Sequence, residues 1–107
     1  MFGFFNKKPH GIITSVRYTA DRERLLLVRY YQRRGAIWSD LELLSREELL
    51  ARLNAGQKFV VGQRQGDVPG SFETGKIVEL RHANGDTVIR TEGTSGARDY
   101  LEGAPLF

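Results

Sequence analysis

The chain has 107 residues, a net charge of +3 and 40% hydrophobic residues, which is the content of one domain able to bury its own core. It has no cysteine, which excludes disulfides, zinc ribbons, iron–sulfur clusters and thiol catalysis. The longest aliphatic run is Leu25–Val28, far short of a bilayer span.

Residues 1–10 (MFGFFNKKPH) read as a flexible or docking tail, and residues 11–107 as a single globular domain. The apolar Met1–Phe5 precedes Lys7 and Lys8, the reverse of a secretory signal, so a cytoplasmic protein is expected. Ile12–Thr19 alternates in period two and predicts a first strand. Leu25–Gln32, rich in Leu, Val and Tyr, predicts a second. Arg33-Arg34-Gly35 suits a three-residue hairpin loop, with Ala36–Leu44 returning as the third strand. That loop pairs Tyr30 with Trp38, Tyr31 with Ile37, Val28 with Asp40 and Leu25 with Leu43. It places Leu25, Leu27, Tyr31, Ile37, Leu41 and Leu43 on one face. Apolar residues then fall on both faces, as a sheet curling toward a barrel requires.

Ser45-Arg46-Glu47-Glu48 is a capping box, with Leu44 and Leu49 spaced as a hydrophobic staple. Leu49, Leu50 and Leu53 make one apolar stripe, and Gly56 a stop signal. A helix is therefore predicted over residues 45–55. Lys58–Gln63 predicts a short strand, and Arg64–Thr74 a loop long enough to carry binding. Lys76–Ala83 and Asp86–Glu92 flank Asn84-Gly85, the dipeptide of a two-residue hairpin. This turn sets Leu80 opposite Ile89, and Glu79 opposite Arg90 on the solvent face. Together the order predicts an α+β, mostly antiparallel domain. It is either a six-stranded bent sheet or a small OB-like barrel, with one α-helix between the third and fourth strands.

Catalytic patterns are missing. His10 and His82 stand apart with no third ligand, and no serine has a motif around it. Asp40/Glu42 and Glu47/Glu48 are paired carboxylates with no sign of the apolar pocket that raises a pKa. Gly62-Gln63-Arg64-Gln65-Gly66 lacks the following helix of a phosphate loop. A non-enzymatic domain without cofactor or metal is expected.

Charge is uneven. Residues 1–38 hold eight Lys and Arg against Asp21 and Glu23, net +6, whereas residues 39–107 hold eight against eleven acids, net −3. Within the basic part lies Arg29-Tyr30-Tyr31-Gln32-Arg33-Arg34-Gly35-Ala36-Ile37-Trp38, where cations interleave with rings on which bases stack. The bland alternative is a cross-strand aromatic pair that only stabilises a hairpin. The functional expectation is single-stranded nucleic acid, RNA or DNA, bound through Arg29, Tyr30, Arg33, Arg34 and Trp38. The alternative is an assembly subunit that meets a protein partner or its own copy through Phe2, Phe4, Phe5, Leu106 and Phe107.

Overall fold

A computed structural model describes residues 9–66 and 71–107. The elements are β1 (Gly11–Tyr18), β2 (Leu25–Arg34), β3 (Ile37–Trp38), β4 (Glu42–Ser45), α1 (Arg46–Asn54), β5 (Phe59–Arg64), β6 (Phe72–Ala83) and β7 (Asp86–Thr91). The strands form one curled sheet, half of a barrel, in the order β3-β2-β1-β5-β6-β7 with β4 also on β2. β1 and β5 run parallel, and the other pairings between these strands are antiparallel. Residues 1–8 of the expected tail lie outside the described residues. Pro9 and His10 belong to the body, since His10 Nδ1 accepts from Lys58 N at 3.0 Å and Pro9 O from Arg33 Nε at 3.2 Å.

The curl has a local cause. The register of β1 on β2 slips at Thr14 and again at Leu26, each an extra residue in its strand. A bulge bends and twists its strand and swaps the faces beyond it. Leu25 and Val28 both point inward as a result, although an ideal strand would set them on opposite faces. The main core gathers Ile13, Val16, Val28, Tyr30, Leu49 and Phe59. Gly11 makes room for it: a Cβ there would collide with the Phe59 ring.

α1 packs against β2, β4 and β6. Its capping box is complete: Ser45 Oγ accepts from Glu48 N at 3.2 Å and Ser45 N donates to Glu48 Oε1 at 3.0 Å. Donation from the Ser45 backbone N–H, followed by the Ser45 hydroxyl, holds the Glu48 carboxyl below its ordinary value. The helix ends in a Schellman turn. Gly56 N bonds Leu53 O, Gln57 N bonds Arg52 O, and Gly56 takes φ +87. Ser45→Ala is expected to cost about 1 kcal/mol, read as a lowered denaturant midpoint; an unchanged midpoint would show that the cap does not hold this helix.

The gap between β2 and β7 is spanned by the segment around Asp99. Its carboxylate is fully buried and accepts from Leu25 N at 2.7 Å, Ile89 N at 2.9 Å and Arg46 Nε at 2.6 Å. One side chain thus ties β2, β7 and the first residue of α1 together. Farther on, Leu106 forms a bridge to Val16, and Phe107 lies under the guanidinium groups of Arg17 and Arg29 at 4.6 and 4.2 Å.

Several sequence expectations change. The predicted third strand is two strands, because β3 turns on two residues, Gly35 and Ala36, rather than three. Arg34 pairs with Ile37 and Arg33 with Trp38. Ser39 remains bonded to Gln32, but Glu42 then faces Tyr30, so Asp40 and Leu41 together lie across from Tyr31 alone. The changed turn and that bulge together shift the rest of the strand. Val28 meets Leu44 rather than Asp40, and Arg29 meets Leu43. The expected apolar face dissolves: Ile37, Leu41 and Leu43 are exposed. The sheet therefore has seven strands, not six. The predicted loop Arg64–Thr74 is shorter, since Phe72–Thr74 pair with Gly62–Arg64.

The Asn84-Gly85 hairpin has the predicted register, Leu80 opposite Ile89 and Glu79 opposite Arg90, with both turn residues at positive φ. The expected solvent-face position of Arg90 does not hold. Arg90 is buried beneath the segment that follows β7 and donates to Thr94 Oγ1, Ser95 O and Arg98 O. Glu79 pairs with Arg81 at 2.8 Å.

Candidate functional site

Tyr31 pairs with Ile12 across β1 and β2, and alternation sets both on the side of the sheet away from Ile13. Ile12 is buried there, apart from the main core. The β5–β6 hairpin passes close over it. Gly62 permits this approach: a Cβ at Gly62 would lie 2.7 Å from Glu73 O and 3.0 Å from Ile12 Cγ2. The hairpin brings Phe72 to Tyr31, ring centroids 5.2 Å apart, and to Trp38, 5.0 Å apart and edge-on. Arg64, opposite Phe72 on β5, lies 6.0 Å from the Tyr31 ring centroid.

The outcome is a cleft of about 330 Å³. Its floor is Tyr31, Trp38 and Phe72, and its rim includes Arg64, Ile37, Asp40 and Leu41. The bulge at Asp40–Leu41 opens it beside Tyr31, because two residues there occupy the length of one. Trp38 is half-buried, its ring fixed against Phe72 yet reachable from the cleft.

The five residues expected at the surface separate. Trp38 and Arg33 are direct cross-strand neighbours, and Arg34 follows at the hairpin tip. Arg33 is held by Pro9 O and by Gly35 O, the latter at 3.1 Å. Arg34 forms an exposed ion pair with Glu42 at 3.2 Å. Arg29 lies over Phe107, away from the cleft lining. Tyr30 is 2% exposed, lies 6.0 Å from the Phe59 ring, and is opposite Glu42 rather than Trp38. Burial raises its phenol pKa above the ordinary value. Such a ring offers no face to a ligand.

Tyr31, Phe72, Arg64 and Asp40 were not among the five expected residues, although Arg64 and Phe72 fall in the loop expected to carry binding. Tyr31 carried one usable signal, its alternation with Arg29 and Arg33 on a single strand face. Phe72 carried another, an aromatic directly after the turn-like run Gly66–Ser71. Among the described residues, no three His, Cys, Asp or Glu side chains gather as for a metal ion, and no helix is long and apolar enough to cross a membrane. Compared with protein-family models, curated proteins and solved structures, the chain matches none of them.

Proposed function

We propose that this is a small non-enzymatic binding domain, OB-like in its curl and acting in the cytoplasm, that holds single-stranded nucleic acid at the Tyr31–Trp38–Phe72 cleft. The observation that carries this reading is three aromatic rings lining one open cleft with Arg64 on its rim and Arg33 and Arg34 beside it. Rings supply sequence-tolerant stacking, and the guanidinium groups supply phosphate contacts. Arg29 and Tyr30 leave the binding set; Tyr31, Phe72 and Arg64 join it.

Trp38 is the chain's single tryptophan, so its fluorescence reports the cleft directly. A short oligonucleotide is expected to quench it at low salt, with a log–log salt slope of about −0.7 per phosphate contacted. Trp38→Ala should weaken binding by about 1–3 kcal/mol. Changing Arg33 and Arg34 together to Ala should flatten the slope. It should leave the fold intact, because an exposed pair such as Arg34–Glu42 contributes about 0–1 kcal/mol. No binding at low salt would refute the proposal.

The second reading is assembly. Ile37 is 66% and Leu43 58% exposed at the β3–β4 edge, and Leu106 is exposed beside the half-buried Phe107. Phe2, Phe4 and Phe5 lie outside the described residues. Light scattering across a range of concentrations separates the two, since apolar association persists at high salt and strand binding does not.

A further inference from the structure

Asp40 stands on the rim of a cleft proposed to bind a polyanion, where a carboxylate is out of place. Among the described residues its side chain accepts no hydrogen bond and forms no ion pair; Ser39 Oγ bonds its backbone carbonyl instead, at 2.8 Å. An acid there repels phosphate and attracts only hydrogen-bond donors. The bulge fixes its place: Asp40 and Leu41 lie across from Tyr31, and Asp40 lines the same cleft as the Tyr31 ring on which a base would stack.

A stacked base presents its Watson–Crick edge sideways, toward the rim. The four edges differ in what they offer a carboxylate. Guanine has two adjacent donors, N1–H and the N2 amino group, which match two carboxylate oxygens in the fork geometry that also joins arginine to carboxylate. Adenine and cytosine each place one amino donor beside an unprotonated ring nitrogen, whose lone pair faces the second oxygen. Uracil and thymine place one N–H between two carbonyl groups, both repelled.

We infer that Asp40 makes the cleft selective for guanine, reading N1–H and N2–H while Trp38, Tyr31 or Phe72 stacks on the base. This rests on the nucleic-acid reading above and deepens it. Asparagine at the same position presents one acceptor and one donor, so it loses the match to guanine without changing the size of the side chain. Asp40 is exposed and outside the core, so the substitution leaves the fold intact.

The test uses the full chain and Trp38 quenching with uridine heptanucleotides whose central base is G, inosine, A, C or U. The G oligomer is expected to bind at least about tenfold more tightly than the A, C and U oligomers, the scale of one bidentate base contact. Inosine, lacking the N2 amino group, should fall between. Asp40→Asn should abolish the preference and leave the binding of the U oligomer equal or slightly tighter, since a repulsive charge is gone. Equal binding of all five by the unmodified protein overturns the inference while the strand reading stands. A guanine preference that survives Asp40→Asn overturns the role of Asp40. No binding by any oligomer overturns the strand reading and the inference with it. Guanosine monophosphate carries the same edge and is expected to bind more weakly, with the same loss in Asp40→Asn. If it bound as tightly as the G oligomer, the ligand would be a free nucleotide, and the strand reading would fall while the guanine edge remained.

Discussion

Asp99→Ala is expected to destabilise the domain by about 3–5 kcal/mol, the scale for breaking a buried charged pair by removing one partner. The carboxylate accepts two backbone N–H groups and two guanidinium N–H groups in a site sealed from water. Without it, the amides of Leu25 and Ile89 lose their partner. Arg46, which also donates to Thr87 O at 2.8 Å, keeps a partly buried charge with no counter-ion. Asp99→Asn is expected to be nearly as damaging. An amide oxygen serves one side of the site, but its NH₂ faces donors on the other. Urea unfolding with linear extrapolation measures both. Arg46→Ala and the double variant complete a cycle, in which coupling on the order of 1–3 kcal/mol is expected for groups in direct contact. A loss below about 1 kcal/mol for Asp99→Ala would mean that the segment holding Asp99 does not seal β2 against β7.

Tyr30→Ala should cost a similar amount, about 3–5 kcal/mol, as for other large aromatic side chains removed from a core. The ring packs against Phe59 within the main cluster, and its loss opens a cavity that β1 and β5 cannot collapse to fill. Tyr30→Phe keeps the ring and removes only the hydroxyl's bond to Gln32 Oε1 at 3.2 Å, a loss of about 0.5–1.5 kcal/mol. Oligonucleotide affinity should be the same in Tyr30→Phe as in the unmodified chain. Denaturant midpoints and Trp38 quenching on the same samples read both effects. A Tyr30→Phe variant that stays folded but binds as weakly as Trp38→Ala would place Tyr30 in the binding surface and contradict its burial. The neighbouring Tyr31 should behave in the opposite way. Its ring lines the cleft, so Tyr31→Ala should weaken binding by more than it lowers stability.

Local signals in the chain determined the elements with short-range causes. The helix start follows from Ser45 and Glu48, whose mutual bonds need only three residues of separation. The last hairpin follows from Asn84-Gly85, which accept positive φ and set every pair from Ala83–Asp86 to Val78–Thr91. The existence of β1, β2 and β5 follows from alternation or from continuous β-branched and aliphatic runs. The curled, mainly antiparallel sheet was expected from a strand pairing that does not form; the bulges at Thr14 and Leu26 produce the curl instead.

What only the tertiary structure decided depends on single-residue slips and on partners distant in sequence. The turn at Gly35-Ala36 sets Trp38 opposite Arg33 rather than Tyr30, and the bulge at Asp40–Leu41 leaves Leu41 and Leu43 exposed; because side chains alternate with period two, a slip of one residue inverts a face, and no propensity marks where the slip falls. Arg90 looked like a solvent-side cation because the hairpin register says nothing of the segment that later folds over it. Nothing in the sequence marks Asp99, since its partners Leu25, Arg46 and Ile89 converge on it only in the folded chain. The cleft was half legible. Trp38, Arg33 and Arg34 are close in sequence and stay close in space. Phe72 and Arg64 reach Tyr31 only because Gly62 lets the β5–β6 hairpin pass against Ile12, a contact between residues fifty positions apart that local sequence cannot encode.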